Sequence, residues 1–574
     1  ARSCSMSNCS LWTARRRSSP ERGIVRRQVF VQLVFAVAIA AASPALGDPL
    51  VDAGRRIYED GVLPDGGVLV ATRPEGLLLE GRYAACGTCH RPSGMGSVEG
   101  VGEQAILVPP VAGPVLFADA RYANAFLDDS HHYIPNETWR RAMTRPGYNE
   151  TTLDEALRGG LNSAGVLMEA PMPLYDLDPQ SRRALTVYLQ HLGNKPDSGV
   201  EPDDLHIATV VTPDADPEDA EAMLRVLRFW AGSSRSAGRP WRLHEWRLSG
   251  PPESWADQLD ARYDAQNVFA LLSGLGASEW DPVHAFCESR RVACVLPSVD
   301  VAPAADGHFS LYYSAGVTLE ARILAKFLLN GGSPSRGRIV HLYSGESGRE
   351  AARIFAERWQ RGGSERQSLS IRYHATAPRA TLREVNAEDT LVLWLNAGDL
   401  AQRAAEFPVV PAHDVYVSAL LATPEDVDPP AGWKRAMHFV TLFDEFGLQG
   451  EIARLRLERW LEKNGLAAAA NRRLQADAYA AAYLFNASIA AIGRQEARRP
   501  AVPLTREHVL EVLEDRVAKY DDGTQFIDTE IHVAWYGRMS LGPGQRIAVR
   551  GGSIVRYASP DSKRLDRVGD RIVP

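Results

Sequence analysis

The chain has 574 residues, of which 45% are hydrophobic and 24% are charged, and its net charge is −7. This composition is typical of a folded globular protein with several domains, and it excludes a disordered, collagen-like or wholly membrane-embedded chain. Because there is no basic excess to neutralise phosphates, we expect no nucleic-acid partner.

The first 47 residues have the pattern of a secretory signal. Seven arginines and one acidic residue precede the apolar run Val29–Ala42, and small residues follow it as far as Gly47. A membrane-spanning helix needs about 20 apolar residues, so this run favours a signal peptide cut after Gly47 over a retained anchor. Without this segment the chain has 57 basic and 70 acidic residues, a net charge of −13. We expect a periplasmic protein with no stable membrane span after cleavage.

The most informative stretch is Cys86-Gly-Thr-Cys89-His90, which has the C-x-x-C-H pattern of covalent c-type haem attachment. Two thiols at this spacing reach the two vinyl groups of one porphyrin, and the adjoining histidine binds the iron as proximal ligand. A zinc site would need a second ligand pair, and the sequence has no second C-x-x-C. A thioredoxin-like motif would continue as a helix, whereas Arg91-Pro-Ser-Gly breaks one. We therefore predict one covalent haem c on Cys86 and Cys89, with His90 on the iron.

A second axial ligand is expected further along the same region. Met172 stands between two prolines, whose fixed backbone angles hold the thioether in place. Asp178 followed by proline predicts the start of a helix with an apolar stripe that ends near Leu192. The order of haem motif, loop, Met-Pro and terminal helix resembles a class I cytochrome c domain. The resemblance implies a small all-α domain over residues 48–192, with Met172 as distal ligand.

Other ligand sets stay open at this point. Met168 is the fallback for Met172, and bis-histidine ligation is a further alternative. A histidine and methionine pair raises the haem potential and fills both axial positions, so it favours an electron carrier over an enzyme. A haem peroxidase would need one open position. The weaker methionine candidates and the histidine pair are Met95, Met143, His131 and His132.

The pattern changes after residue 192. Residues 193–203 are polar and contain Gly and Pro, which predicts a linker. Beyond it, short apolar strands alternate with helices, which predicts βαβ units in parallel sheets. The span 204–574 is long for one sheet, so two α/β lobes are expected. The predicted strands are 205–211, 241–248, 267–272, 292–296, 338–343, 369–373, 390–395 and 415–420. The predicted helices are 217–230, 282–290, 318–329, 348–359, 450–463 and 474–493, followed by short strands over 526–555.

Four segments give this half a family resemblance: a strand ending in Thr212-Pro213, Leu272–Ser278, Phe286-Cys-Glu before Cys294-Val-Leu-Pro, and a strand over Arg338–Tyr343 that leads into a helix. The half resembles the type I periplasmic binding-protein fold of the branched-chain amino-acid receptor group. In that fold a small molecule binds in the cleft, beyond the carboxyl ends of the strands. The adjacent Ser/Thr run of amino-acid receptors is interrupted here by glycines and a leucine. The resemblance implies five candidate cleft residues: Ser273, Ser278, Ser298, Tyr343 and Asn396.

Cys287 and Cys294 form a second close pair. In an oxidising compartment we predict a disulfide between them. Two buried free thiols are the alternative.

Together these patterns predict an exported electron-transfer protein, not an enzyme, in which a mono-haem cytochrome c is fused to a solute-binding-like domain. The resemblance suggests service to a quinoprotein (PQQ-dependent) dehydrogenase, with a downstream cytochrome or oxidase as acceptor. One alternative is an ABC-type solute-binding or sensing protein whose haem reports redox state. The other is a haem peroxidase-like enzyme.

Overall fold

The computed structural model describes most of the chain after residue 47. The predicted signal peptide, His131, His132, Met143 and Ser278 lie outside the described residues. The residues from Leu50 to Pro574 form one compact unit. The described residues are 48–99, 106–120, 144–168, 172–236, 238–277, 279–304, 306–373, 385–406, 410, 412–424, 427–443, 448–496, 502–518, 535–536, 539–542 and 544–574.

The N-terminal region, residues 48–192, is built from helices and two small hairpins. Its helices are α1 (Pro49–Asp60), α2 (Gly87–His90), α3 (Gly113–Leu116), α4 (Glu150–Gly159) and α5 (Pro179–His191). Strands β1 (Val70–Thr72) and β2 (Leu78–Glu80) pair antiparallel, as do β3 (Ser97–Glu99) and β4 (Ile106–Val108). The expectation of an all-α region is therefore wrong. A Pro-Glu-Gly turn closes the first hairpin, where Gly76 has φ +83° and Arg73 N–H donates to Leu77 O at 2.8 Å.

Helices α1 and α5 cross at Gly54. A Cβ at this position would lie 2.1 Å from the carbonyl oxygen of Ala184 and 2.5 Å from Cβ of Tyr188, so only glycine permits the close approach. The predicted start of α5 is confirmed, because the Asp178 carboxylate accepts the N–H groups of Gln180 and Ser181. The crossing joins the two ends of the region around one apolar core.

The first lobe of the two-lobed region, residues 204–574, is a mainly parallel sheet with helices on both faces. Its core runs in the order β11-β9-β5-β8-β10-β12-β18, and β7 pairs with β5. The strands are β5 (Leu205–Val211), β6 (Arg235–Ser236), β7 (Arg239–Arg247), β8 (Ala270–Leu272), β9 (Leu275–Gly276), β10 (Ala293–Val295), β11 (Ser298–Val299), β12 (Ser310–Ser314) and β18 (Ile547–Val549). The helices are α6 (Pro217–Ser233), α7 (Trp255–Ala265) and α8 (Asp281–Arg290).

The second lobe is a sheet in the order β14-β13-β15-β16-β17-β19-β20, parallel as far as β17 and antiparallel beyond it. Side chains of β15 alternate between two apolar cores, as expected for a strand covered on both faces. Its strands are β13 (Ile339–Tyr343), β14 (Ser368–Arg372), β15 (Thr390–Trp394), β16 (Asp414–Ser418), β17 (Met437–Thr441), β19 (Gly552–Tyr557) and β20 (Leu565–Ile572). Its helices are α9 (Val317–Leu329), α10 (Gly345–Arg361), α11 (Ala397–Glu406) and α12 (Ala431–Ala436).

The chain passes between the two sheets three times: after β12, after β17 and after β18. At the first passage Gly316 has φ +66°, and a Cβ there would lie 1.9 Å from the carbonyl oxygen of Asp300. The second passage, from β17 to β18, contains three further helices: α13 (Leu448–Lys463), α14 (Arg472–Glu496) and α15 (Arg506–Ala518). Helix α14 packs against both α6 and α15. Two α/β lobes joined in this way confirm the predicted two-lobed fold class.

Cys287 and Cys294 form the predicted disulfide, with their Cα atoms 6.1 Å apart. It joins the end of α8 to β10. None of the helices in the described part of the chain combines the length and the apolar character that a membrane crossing requires.

We predict that Gly54→Ala lowers the free energy of unfolding by about 2 kcal/mol, since the added methyl group forces α1 and α5 apart. Urea denaturation measures the effect. Gly159→Ala is the control, because its Cβ would have no neighbour within 4 Å. Equal stability of the Gly54 variant and the control would contradict the close crossing.

Candidate functional site

One short helical turn positions the cysteines and histidine of the C-x-x-C-H segment. The carbonyl oxygen of Cys86 accepts the N–H of Cys89 at 3.2 Å and of His90 at 2.9 Å. Because residues three and four positions apart lie on the same side of such a turn, Cys86 has both of the others beside it. Arg91, with φ +64°, then ends the helix.

The His90 imidazole is buried and held by one hydrogen bond. It is 7% exposed, and Nδ1 lies 2.8 Å from the carbonyl oxygen of Pro109. Burial lowers the pKa of His90, so the ring is neutral at neutral pH. A carbonyl only accepts, so Nδ1 carries the proton and Nε2 carries the lone pair. The ring is therefore a neutral imidazole with its lone pair on Nε2 and its Nδ1–H held by a backbone carbonyl, an arrangement that metal-ligating histidines also have.

The two thiols are not paired with each other, since neither Cys86 nor Cys89 is in a disulfide. Burial raises the pKa of Cys86 to about 12, so its sulfur is a thiol rather than a thiolate at neutral pH. Reactive redox cysteines have lowered pKa values instead. Within the described ranges, no three His, Cys, Asp or Glu side chains come together as a metal-binding group. The environment of Cys86 is therefore not that of an activated redox thiolate.

Met172 is half-buried and packs on the same apolar core as Cys86. The chain after it is fixed to the segment before the motif, because Tyr175 Oη donates to the carbonyl oxygen of Ala84 at 2.8 Å. Met168 lies in a different loop, where its N–H donates to Gly160 O at 2.7 Å. The structure therefore associates Met172, rather than Met168, with the core around the C-x-x-C-H segment.

The cleft candidates have different surroundings. Ser273 is buried with φ +56°, and its Oγ has no hydrogen-bond partner among the described residues. Ser298 is buried and donates to Asp477 Oδ2 at 2.9 Å. Tyr343 ends β13 and is half-buried. Asn396 is exposed, and its Oδ1 accepts the N–H of Asp399 at 2.8 Å, as in a helix cap. Only Ser298 joins a larger polar group.

That group lies between the lobes, and sequence reasoning missed most of it. Ser347 in the first turn of α10 donates to Asp300 Oδ2 at 3.1 Å, a bond from the second lobe to the first. Arg473 and Asp477 of α14 form an ion pair at 3.6 Å. We call Ser298, Asp300, Ser347, Arg473 and Asp477 the interlobe cluster.

The interlobe cluster is buried except at Asp300, which is partly exposed. The side chain of Asp477 is fully buried and that of Arg473 is 9% exposed. Burial raises the pKa of Asp300 and of Asp477 to about 6, and the Arg473 guanidinium opposes both shifts. Tyr313 Oη also donates to the carbonyl oxygen of Asp477 at 2.6 Å. The place where the sequence predicts a ligand cleft thus contains charged side chains of the chain itself.

No protein-family model matches this chain, and no curated protein matches it. Solved structures give a likeness at low identity. A fatty acid ABC transporter substrate-binding protein from Thermomonospora curvata is 15% identical with a TM-score of 0.49, over 66% of this chain and 95% of that one. A leucine-binding protein from Thermotoga maritima is 13% identical with a TM-score of 0.45, over 64% and 99%. A branched-chain amino acid ABC transporter protein from Thermus thermophilus with bound valine is 10% identical with a TM-score of 0.47, over 65% and 97%.

We predict that Asp477→Asn reduces the pH dependence of stability. The pKa of Asp477 is raised from 3.8 to about 6 on folding, so the folded state holds this proton to higher pH. The free energy of unfolding therefore falls as pH rises between about 4 and about 6, by on the order of 2 kcal/mol from this group. Urea denaturation across this range measures the slope.

The exposed Asp203→Asn is the matched control and should keep the slope of the unmodified chain. If the Asp477 variant also keeps that slope, the buried titration is refuted.

Proposed function

We propose that this chain is an exported c-type cytochrome that carries electrons through one covalent haem, fused to a two-lobed domain of the solute-binding type. The observation that supports the proposal is the buried His90 imidazole, whose Nδ1 lies 2.8 Å from Pro109 O and which follows Cys89 on the same helical turn, where neither Cys86 nor Cys89 is in a disulfide. A fixed, neutral imidazole next to a C-x-x-C pair is what axial ligation of haem c requires.

The residues present fit haem c. Cys86 and Cys89 would hold the porphyrin through thioether bonds, His90 would bind the iron through Nε2, and Met172 would supply the second iron ligand. When bound, haem supplies a one-electron iron couple, and a His/Met ligand pair places its potential high. The protein fixes the imidazole through Pro109 and positions the Met172 segment through Tyr175.

If His90 and Met172 both bound the iron, the chain would leave no coordination site for peroxide or oxygen. Electron transfer is therefore the proposed role, and peroxidase-like chemistry is not. The acidic mature chain, net charge −13, would meet a basic partner surface. We propose a periplasmic quinoprotein dehydrogenase as electron donor and a cytochrome or oxidase as acceptor.

A second candidate function is solute binding or sensing, with haem as the redox reporter. It is supported by the two-lobed fold and by the polar residues between the lobes, where Ser347 and Asp300 meet. Opening the lobes would break this bond and expose Asp477 and Ser298. The similar solved structures are a fatty acid transporter's substrate-binding protein, a leucine-binding protein and a branched-chain amino acid transporter protein with bound valine. Thermal stabilisation of the full chain by such solutes would favour this candidate.

We predict that Cys86→Ser/Cys89→Ser abolishes covalent haem. Produced with its signal in a bacterium that matures c-type cytochromes, the unmodified chain should keep a haem spectrum after denaturation, whereas the double variant should lose it. The control is Cys287→Ser/Cys294→Ser, which removes the disulfide in the first lobe and should retain haem. A colourless unmodified protein would contradict the proposal.

We predict that Met172→Ala removes the long-wavelength methionine-to-iron charge-transfer band of the oxidised protein, lowers its potential and opens the iron to carbon monoxide. Met168→Ala is the matched control and should leave all three unchanged. The assignment of Met172 fails if the two variants exchange these results.

A further inference from the structure

Helix α15 joins the first lobe to the N-terminal region, and its first residue is fixed in the lobe. The Arg506 guanidinium donates to four backbone carbonyl oxygens, those of Phe269 (2.9 Å), Arg291 (3.0 Å), Val268 (2.9 Å) and Ser198 (2.9 Å). Arg506 is itself 5% exposed. Three of these carbonyls belong to the first lobe and that of Ser198 to the preceding linker, so the start of the helix is held to both.

One face of α15 carries acidic residues into the protein interior. Glu507, Glu511 and Glu514 stand at positions i, i+4 and i+7, which share a side of a helix. Glu511 is 4% exposed and Glu514 is 1% exposed. Buried carboxylates are costly unless they are hydrogen-bonded or paired with cations. The hydrogen-bond partners of Glu511 and Glu514 therefore identify the segment that this face of the helix contacts.

The partners are the residues that directly follow His90. Arg91 donates to Glu514 Oε2 at 2.7 Å, and Ser93 N–H donates to Glu511 Oε1 at 2.8 Å. Ser93 Oγ also donates to Glu511. Arg91 has a left-handed backbone, which costs free energy in a residue with a Cβ. The buried ion pair with Glu514 helps to hold it there.

The same loop is hydrogen-bonded to the segment that follows Pro109. The carbonyl oxygen of Gly94, one residue after Ser93, accepts the N–H groups of Val111 at 2.7 Å and Ala112 at 3.0 Å. These residues follow Pro109, whose carbonyl oxygen faces His90 Nδ1. A displacement of Ser93 would therefore change the hydrogen bond between His90 Nδ1 and the carbonyl oxygen of Pro109. Such outer contacts tune the basicity and orientation of a metal-binding histidine.

Glu514 pairs with a second arginine in addition to Arg91. Its other oxygen accepts from Arg546, just before β18, and Arg546 donates to His308 Nδ1 at 2.9 Å. Burial lowers the pKa of His308 to about 3, so it is a neutral acceptor. Arg91 and Arg546 thus both pair with Glu514. Burial raises the pKa of Glu511 to about 8, so its side chain is mostly protonated at neutral pH. Removing the charge of Glu514 leaves a positive excess near His90, which favours the reduced state of a nearby iron.

We propose that Glu511 and Glu514 of the two-lobed region are positioning residues for the haem of the proposed function, and that they set its reduction potential through the Arg91–Ser93 loop. The inference rests on the proposed function. On this proposal the two-lobed region has a role that requires no solute, because its Glu511 and Glu514 hold the loop that follows His90.

The test compares Glu514→Gln and Ser93→Ala with Glu458→Gln in the full haem-loaded chain. Glu458 is the matched control because it also accepts from two arginines, Arg454 and Arg472, at 2.9 Å each, on α13 and at the start of α14. Potentiometric titration should show a raised potential in Glu514→Gln and a shifted potential in Ser93→Ala. Glu458→Gln should match the unmodified chain. Unchanged potentials in both test variants would overturn the inference.

A second readout separates this inference from the proposed function and also serves if a variant loads no haem. In the haem-free Cys86→Ser/Cys89→Ser chain, ¹⁵N spectra of labelled histidine report the His90 Nδ1–H. Its exchange with water should be at least several-fold faster with Ser93→Ala or Glu514→Gln added, and unchanged with Glu458→Gln. Equal exchange in all chains contradicts the positioning role. An unmodified chain that never binds haem refutes the proposed function instead.

Discussion

The hydrogen bond between His90 and Pro109 is the interaction on which the rest of the account depends. It joins two segments 19 residues apart and fixes which nitrogen of the ring carries the proton. Burial keeps the imidazole neutral, and a neutral imidazole with a proton on Nδ1 is a metal ligand through Nε2. The helical turn positions Cys86, Cys89 and His90, but it is this bond that fixes the orientation of the imidazole and the nitrogen that carries its proton.

The two-lobed region has two structural features that a simple solute receptor would not need. Its α14 brings Arg473 and Asp477 into the space between the lobes, where they are buried and paired. Its α15 carries Glu511 and Glu514 to the loop after His90. Because α14 packs against α15, the space between the lobes and the loop after His90 are connected through two adjacent helices. Through this contact, the two-lobed region would support the haem that we propose.

Elements that depend on a short stretch of sequence were predicted correctly. Strand β5 and helix α8 appear within one residue of their predicted bounds, because an apolar run marks the strand and a proline in the first turn marks the start of the helix. The disulfide between Cys287 and Cys294 followed from close spacing and compartment. The first hairpin was missed because its short strands hold only three residues each.

Features that depend on long-range contacts were not predictable in this way. Helix α15 was missed because buried Glu511 and Glu514 interrupt its apolar pattern, and their partners lie more than 400 positions earlier in the chain. The bond between Asp300 and Ser347 links two lobes and leaves no local signature. Asn396 looked like a cleft residue because it follows a strand, yet a helix cap accounts for its position equally.

The most direct test of the central claim is a crystal structure of periplasmic protein with anomalous data collected at the iron edge. The account predicts one iron atom bonded to His90 Nε2, inside a porphyrin linked to the sulfur atoms of Cys86 and Cys89. An iron-free site, or a disulfide between those two cysteines, would contradict it.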